Sequence, residues 1–191
     1  MFILGPNIAN AIIIYISGRV IDELINESNA KVEEGDFKLL DILHHFTSGM
    51  KSISTEMMYR GTDELRSSCG GAGFHVASGL VTGFTDHAPL STFEGVNTLM
   101  SQQSARYVIK QVKKAKSGKK CKDYFEYINH LSQLISSKST AKSIEECQSL
   151  DYLEHTLKVR SAFYLEITTE LLAESKEKDV VKQNELFAPE V

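Results

Sequence analysis

From Leu39 to Leu65 the apolar side chains Leu39, Leu43, Phe46, Met50, Ile53, Met57 and Leu65 fall at separations of three and four, with Gly61 filling one turn. An α-helix turns once every 3.6 residues, so this spacing lines them along one face; a half-buried strand would alternate instead. The stretch predicts one long amphipathic helix. A second is predicted from about Asn97 through Met100, Val108 and Val112, stopped at Lys116-Ser117-Gly118, since glycine ends helices readily. A third carries Leu150, Leu153, Leu157, Ser161, Tyr164, Ile167 and Leu171 as a stripe expected to face a bundle core, with Ser143 and Glu146 as a capping box upstream. No sustained strand alternation occurs, so the fold class is all-α, a helical bundle.

The segment from Ile8 to Ile16 is strongly apolar but is interrupted by Asn10, preceded by Pro6 and Asn7, and lacks a basic leader. It falls short of the roughly 20 apolar residues of a membrane span, so no span is expected. The repeat Ile8, Ala11/Ile12, Tyr15/Ile16 predicts a buried helix with Pro6 in its first turn. So apolar a start also suits a chain cut from the middle of something longer. With 191 residues and 42% hydrophobic content, one helical domain over residues 1–175 is expected. Residues 176–191, where the apolar stripe gives way to charge, are expected to form a flexible tail. A net charge of -4 argues against nucleic acid as a partner, because phosphate affinity needs a basic excess. Cys69, Cys121 and Cys147 form no C-x-x-C pair, which indicates neither a disulfide framework nor a zinc site; Cys69 is expected to be small and buried.

Between the first two long helices, residues 70–95 are rich in Gly, Ser, Thr and Asp and lack a period. They are expected to form a long ordered loop, and such loops inside compact domains are usually functional. Gly70, Gly71 and Gly73 let backbone approach a ligand closely, and Gly95 to Thr98 reads as a helix start with outward N–H donors, both suited to a phosphate-bearing ligand. Glu94 stands between them. Taken alone, Gly-Gly-Ala-Gly is equally a common turn without the Gly-Lys-Thr/Ser of a phosphate loop. A carboxylate at a helix start is equally what the macrodipole favours anywhere. Adjacent His44 and His45 point about 100° apart on a helix and cannot chelate one ion together. His75 and His87 have no second ligand at a usual spacing, and no metal is expected. The six lysines between Lys113 and Lys122 are read as a solvated helix end.

Three blocks carry more than composition does: Cys69-Gly70-Gly71-Ala72-Gly73-Phe74 running on to Ser78-Gly79-Leu80, Thr92-Phe93-Glu94-Gly95 followed by Asn97 and Thr98, and Gln103-Ser104-Ala105-Arg106-Tyr107. Together they resemble the acyl-CoA oxidases, flavoenzymes that desaturate fatty acyl-CoA thioesters in peroxisomes. The resemblance implies the C-terminal helical part of that family. It makes Glu94 the base that takes the α-proton of a fatty acyl-CoA while the β-hydride passes to FAD, giving the trans-2-enoyl thioester. Molecular oxygen then reoxidises the flavin with release of hydrogen peroxide. It also implies FAD contacts for Gly70, Gly71, Gly73, Asn97 and Thr98, with the flavin shared across a homodimer, a substrate contact for Gly95, and a peroxisomal location. A carboxylate becomes a competent base when partly desolvated, and Phe93 is placed to supply some apolar wall.

Departures accompany the match. Val96 stands where a polar or acidic residue is usual and Phe74 where tyrosine is. The family's N-terminal helical domain and β-barrel have no counterpart in the chain, so tight FAD binding by this chain alone is not expected. The last residues, Ala188-Pro189-Glu190-Val191, are not a Ser-Lys-Leu address. Two alternatives stay open: an acyl-CoA dehydrogenase, which shares the base but passes electrons to a protein carrier, and a non-catalytic helical subunit or scaffold derived from the family.

Overall fold

The computed structural model describes residues 4–174, and the expected tail at 176–191 lies outside them. Among the described residues seven α-helices follow one another: α1 (Leu4–Glu33), α2 (Lys38–Ser68), α3 (Leu80–His87), α4 (Asn97–Lys116), α5 (Leu131–Ser136), α6 (Ile144–Cys147) and α7 (Leu150–Glu174). Short 3-10 turns cover Gly70–Phe74, Val76–Ser78, Ala88–Ser91 and Asp123–His130. No strand occurs among the described residues, and none of the described helices is long and apolar enough to cross a membrane. The chain divides into two compact units, Met1–Tyr107 and Val108–Val191.

In the first unit α1 lies against α2, and α2 in turn against α3 and the turns on either side of it. The α1 helix forms as predicted, but its covered face differs. Ile8, Ile12, Tyr15 and Ile16 are 53–67% exposed. The shielded positions are Asn7, Asn10, Ile14, Ser17, Ile21, Leu24 and Ser28, which alternate in steps of three and four as a packed seam does. Small side chains let the backbones approach: at Gly61 of α2 a Cβ atom would collide with the Asn7 carboxamide. Close approach favours a seam in which small and polar residues alternate with Ile14, Ile21 and Leu24 over the uniformly bulky one.

The second unit holds most of the buried apolar side chains, namely Val112, Cys121, Phe125, Ile128, Leu131 and Ala162. The α4 helix ends where expected: Gly118 adopts φ +82°, and Lys119 N–H donates to Lys114 O at 3.1 Å across the last turn, a closure that a left-handed glycine permits. The following 3-10 segment is pinned by Asn129, whose carboxamide accepts from Cys121 N–H and donates to Cys121 O, both at 2.8 Å. Lys116 pairs with Glu166 at 2.9 Å.

The α7 stripe also needs correction. Leu150, Leu157 and Tyr164 are 83%, 61% and 58% exposed, whereas Ala162 and Thr169 are buried. Together with Tyr152, Val159 and Glu166 they form the shielded seam. The two most deeply buried of these, Ala162 and Thr169, are small, while Leu165 and Leu172 are half-buried beside them; the helix lies against α5 and the Asp123–His130 turn. The Ser143 cap is real, with its Oγ accepting from Glu146 N–H at 3.2 Å, but it starts the one-turn α6. The long helix has its own cap, Ser149 Oγ accepting from Tyr152 N–H at 3.3 Å.

Candidate functional site

The expected loop at 70–95 is instead a chain of short helices hung along α2, two 3-10 turns, α3 and a third 3-10 turn. Sparse apolar residues kept the helical period from showing, while frequent hydroxyls and glycines satisfied or shortened each turn. Cys69 is exposed rather than buried: it caps the C-terminus of α2, its N–H donating to Arg66 O at 3.2 Å, and so faces outward.

Arg66 is the anchor of this region, and periodicity gave no hint of it. Its guanidinium pairs with Asp63 and lies over two rings, Phe74 at 4.4 Å and Phe84 at 4.8 Å from their centroids. A planar cation against aromatic faces stabilises by about 0.5–2 kcal/mol per contact. Phe84 packs further against Tyr59 at 5.1 Å. Gly73 is buried because the turn folds back on the end of α2, where a Cβ would strike the Arg66 carbonyl oxygen. Gly70 and Gly71 are exposed, and a Cβ on either would meet open space. Of the three glycines, only Gly73 is required by packing; the other two leave bare backbone facing outward.

The Glu94 turn lies at the other end of the series. Thr92 and Phe93 close back on Pro89 O at 2.9 and 3.1 Å. Glu94 then takes φ +58° and Gly95 φ +103°. A glutamate in the left-handed region is uncommon and costs on the order of 1 kcal/mol. A Cβ on Gly95 would also press Met100 Cε at 2.6 Å. Both Phe93 and Glu94 are exposed among the described residues, so the apolar wall expected beside the carboxylate is not formed within them.

Thr98 is exposed in the first turn of α4, whose leading N–H groups have no helical acceptors. Asn97 turns the other way. Its Oδ1 accepts from Lys51 Nζ at 2.9 Å and from Thr55 Oγ1 at 3.0 Å, and its Nδ2 is buried without a partner among the described residues. Lys51 Nζ also donates to Gly95 O at 2.5 Å. Ser52 Oγ donates to Asn97 O at 3.1 Å and lies 2.7 Å from Ser101 Oγ. Two turns earlier on α2, His45 Nδ1 lies 3.0 Å from Ser104 O and 2.9 Å from Ser104 Oγ, with its ring stacked on Tyr107 at 5.1 Å. Burial pushes the His45 imidazole below its ordinary pKa, against the Ser104 carbonyl, which favours the charged form. The Gln103–Tyr107 block thus serves to seat α4 on α2.

A sequence signal for this seam existed: His45, Ser48, Ser52 and Thr55 stand at steps of three, four and three. Counting only apolar residues hides it.

The two ligand-facing candidates do not merge. Arg66, which carries the glycine turn, and Lys51, which carries the Glu94 turn, are separated along α2 by about 20 Å of helix axis at 1.5 Å per residue. A compact ligand would touch one or the other; an elongated one would be needed to engage both. A cavity of about 550 Å³ lies elsewhere, lined by residues including Lys119, Lys120, Lys122 and His130, and gathers none of the candidates.

A family profile described as Acyl-CoA oxidase, C-alpha1 domain matches residues 2–109, a span that contains both turns and all of α1 to α3. The chain belongs to the acyl-CoA oxidase family. It is 34% identical over 172 residues to peroxisomal acyl-coenzyme A oxidase 1 of Mus musculus, a match that covers 88% of this chain and 26% of that protein. Among solved structures, acyl-CoA oxidase 1 of Arabidopsis thaliana superposes with a TM-score of 0.81 at 26% identity, over 88% of this chain and 25% of that one. Acyl-CoA oxidase-2 of Caenorhabditis elegans, solved bound with FAD, ascaroside-CoA and ATP, superposes with a TM-score of 0.66 at 25% identity, over 85% of this chain and 24% of that one. This oxidase-family chain therefore spans about a quarter of the length of its relatives.

Proposed function

We propose that this chain is the segment of a FAD-dependent acyl-CoA oxidase that carries the catalytic base, Glu94, and part of the flavin surface. The single observation that supports this most is the left-handed Glu94 turn at the head of α4. Strain of this kind is retained where a side chain must be aimed, and here it falls on a carboxylate inside the family's span.

The residues present are compatible with FAD. An elongated dinucleotide suits two attachment points about 20 Å apart along α2. Outward backbone at Gly70 and Gly71 and the leading amides of α4 are the donors its phosphates and ring edges use. Gly70, Gly71 and Thr98 would hold it directly, and Gly73 would act through the fold of its turn. Asn97, with its carboxamide engaged by α2, would act through its backbone N–H. The chemistry a flavin supplies when bound is acceptance of the β-hydride and passage of the electrons to oxygen as hydrogen peroxide. Glu94 takes the α-proton of the fatty acyl-CoA onto a carboxylate oxygen, and Gly95 lets the chain pass close to the thioester. The enclosure that would dry the carboxylate comes from outside the described residues, either from the rest of the oxidase or from the second subunit of a homodimer. A peroxisomal location accords with the names of the relatives.

The test is Glu94→Gln in the complete oxidase. Peroxide release from a fatty acyl-CoA should fall by roughly 10²- to 10⁴-fold, the contribution of a positioned base, while the flavin absorbance stays. Full turnover in the variant would discard the assignment. Electron delivery to an artificial dye without peroxide would identify a dehydrogenase.

A further inference from the structure

Lys51 sits in the middle of α2, where a lysine ordinarily extends into water. Its ammonium instead donates to Gly95 O and to Asn97 Oδ1, the residues one and three beyond Glu94. Holding so flexible a side chain costs rotamer freedom, which two charge-assisted bonds offset. Lysine offers donors only, so it also fixes which way the Asn97 carboxamide lies, oxygen inward. Thr55 and Ser52, on the same face of α2, add bonds to the Asn97 side chain and carbonyl.

The backbone they grip has reason to be gripped. Glu94 and Gly95 are consecutive left-handed residues, and glycine is free to leave that region at no steric cost. Nothing intrinsic to the pair maintains the turn, and a base displaced by about 1 Å loses on the order of a hundredfold in rate.

We propose that Lys51 is the positioning residue of the Glu94 turn: its ammonium, seated on Gly95 O and Asn97 Oδ1, holds the left-handed backbone that aims the carboxylate. The consequence for catalysis rests on Glu94 being the base; the hold on the turn does not.

The substitution Lys51→Met keeps the length and removes the donors. In the chain itself, the Met100 amide, which donates to Val96 O at 3.1 Å, should exchange with solvent about tenfold to a hundredfold faster, as expected for a lost charge-assisted bond. The Glu94 carbon shifts should lose their left-handed signature. Amides of the second unit, such as Ile128, should be unchanged, and Lys51→Arg should restore part of the protection. If Lys51→Met fails to fold, Thr55→Val, which removes one of the two donors to Asn97 Oδ1, gives the same readout with a smaller shift. Unaltered Met100 exchange and Glu94 shifts overturn the proposal. In the FAD-loaded oxidase, Lys51→Met should lower kcat by about tenfold or more with KM held within about twofold. If kcat survives Lys51→Met but not Glu94→Gln, the positioning role is overturned. If turnover survives Glu94→Gln, the base assignment fails instead, and the exchange data alone decide what Lys51 does.

Discussion

In the unit beginning at Val108 the buried side chains are mainly apolar, Val112, Cys121, Phe125, Ile128, Leu131 and Ala162 beside Gln111 and Thr169, whereas in the unit ending at Tyr107 they are mainly Ser28, Ser48 and Ser52, with Leu24 the one large apolar group among the described residues. Burial of apolar area is strong and non-directional. Hydroxyl and ammonium bonds are individually weak, near 1 kcal/mol net, but they fix angles. The first arrangement supplies stability; the second supplies shape. The turn proposed to carry the chemistry stands on the second kind, as a strained backbone must if one conformation is to be selected.

The contrast breaks most visibly if volume matters as much in the first unit as in the second. Ile128→Ala should cost about 3–4 kcal/mol by urea unfolding, since the side chain is 2% exposed and its cavity is lined by packed neighbours. Ser52→Ala, although at a similarly buried site, should cost only about 1 kcal/mol, because what is lost is a pair of bonds to Asn97 and Ser101 rather than packing. Equal losses at the two sites would remove the distinction.

The smallest expected effect is a pH dependence confined to the first unit. His45 has its folded pKa held below the ordinary 6.5 by burial, so near and below that value the unfolded chain binds more protons than the folded one. Stability therefore rises with pH through this window and is lost as pH falls from about 6.5 towards the depressed folded value. A His45→Gln variant should show a flatter stability curve between pH 7 and pH 5. An unchanged slope would assign the dependence to other groups.

Helix existence was legible for the long helices, because 3.6-residue spacing is a property of the chain alone: α4 keeps its expected limits and α2 extends one residue before and three beyond its stripe, whereas the short helices within 70–95, α5 and α6 were not read. Which face is buried was less legible. Along α1 and α7 the bulkiest stripe is the exposed one, and the small residues Ala162, Thr169 and Ser28 pack instead, because close approach of helix axes depends on the partner and not on hydrophobicity counted along one helix. At the candidate site, Glu94, Gly70 and Gly95 could be named from the motif. Lys51 and Arg66 could not, since a lone cation on a helix reads as solvated until the backbone carbonyl or ring it meets is known. His45 shows the same limit: its spacing with Ser48 and Ser52 was visible, and its partner Ser104 was not.

The three thiols are distributed so that the chain reports on itself. Cys69 is exposed beside the glycine turn, Cys147 is exposed in the second unit, and Cys121 is buried there, its Sγ 3.4 Å from the Gln111 carbonyl oxygen. An alkylating reagent should therefore add two groups promptly and the third only when the apolar core opens. Counted by mass over time, the late adduct is a clock for the opening of one unit, obtained from the unaltered protein without any probe being introduced.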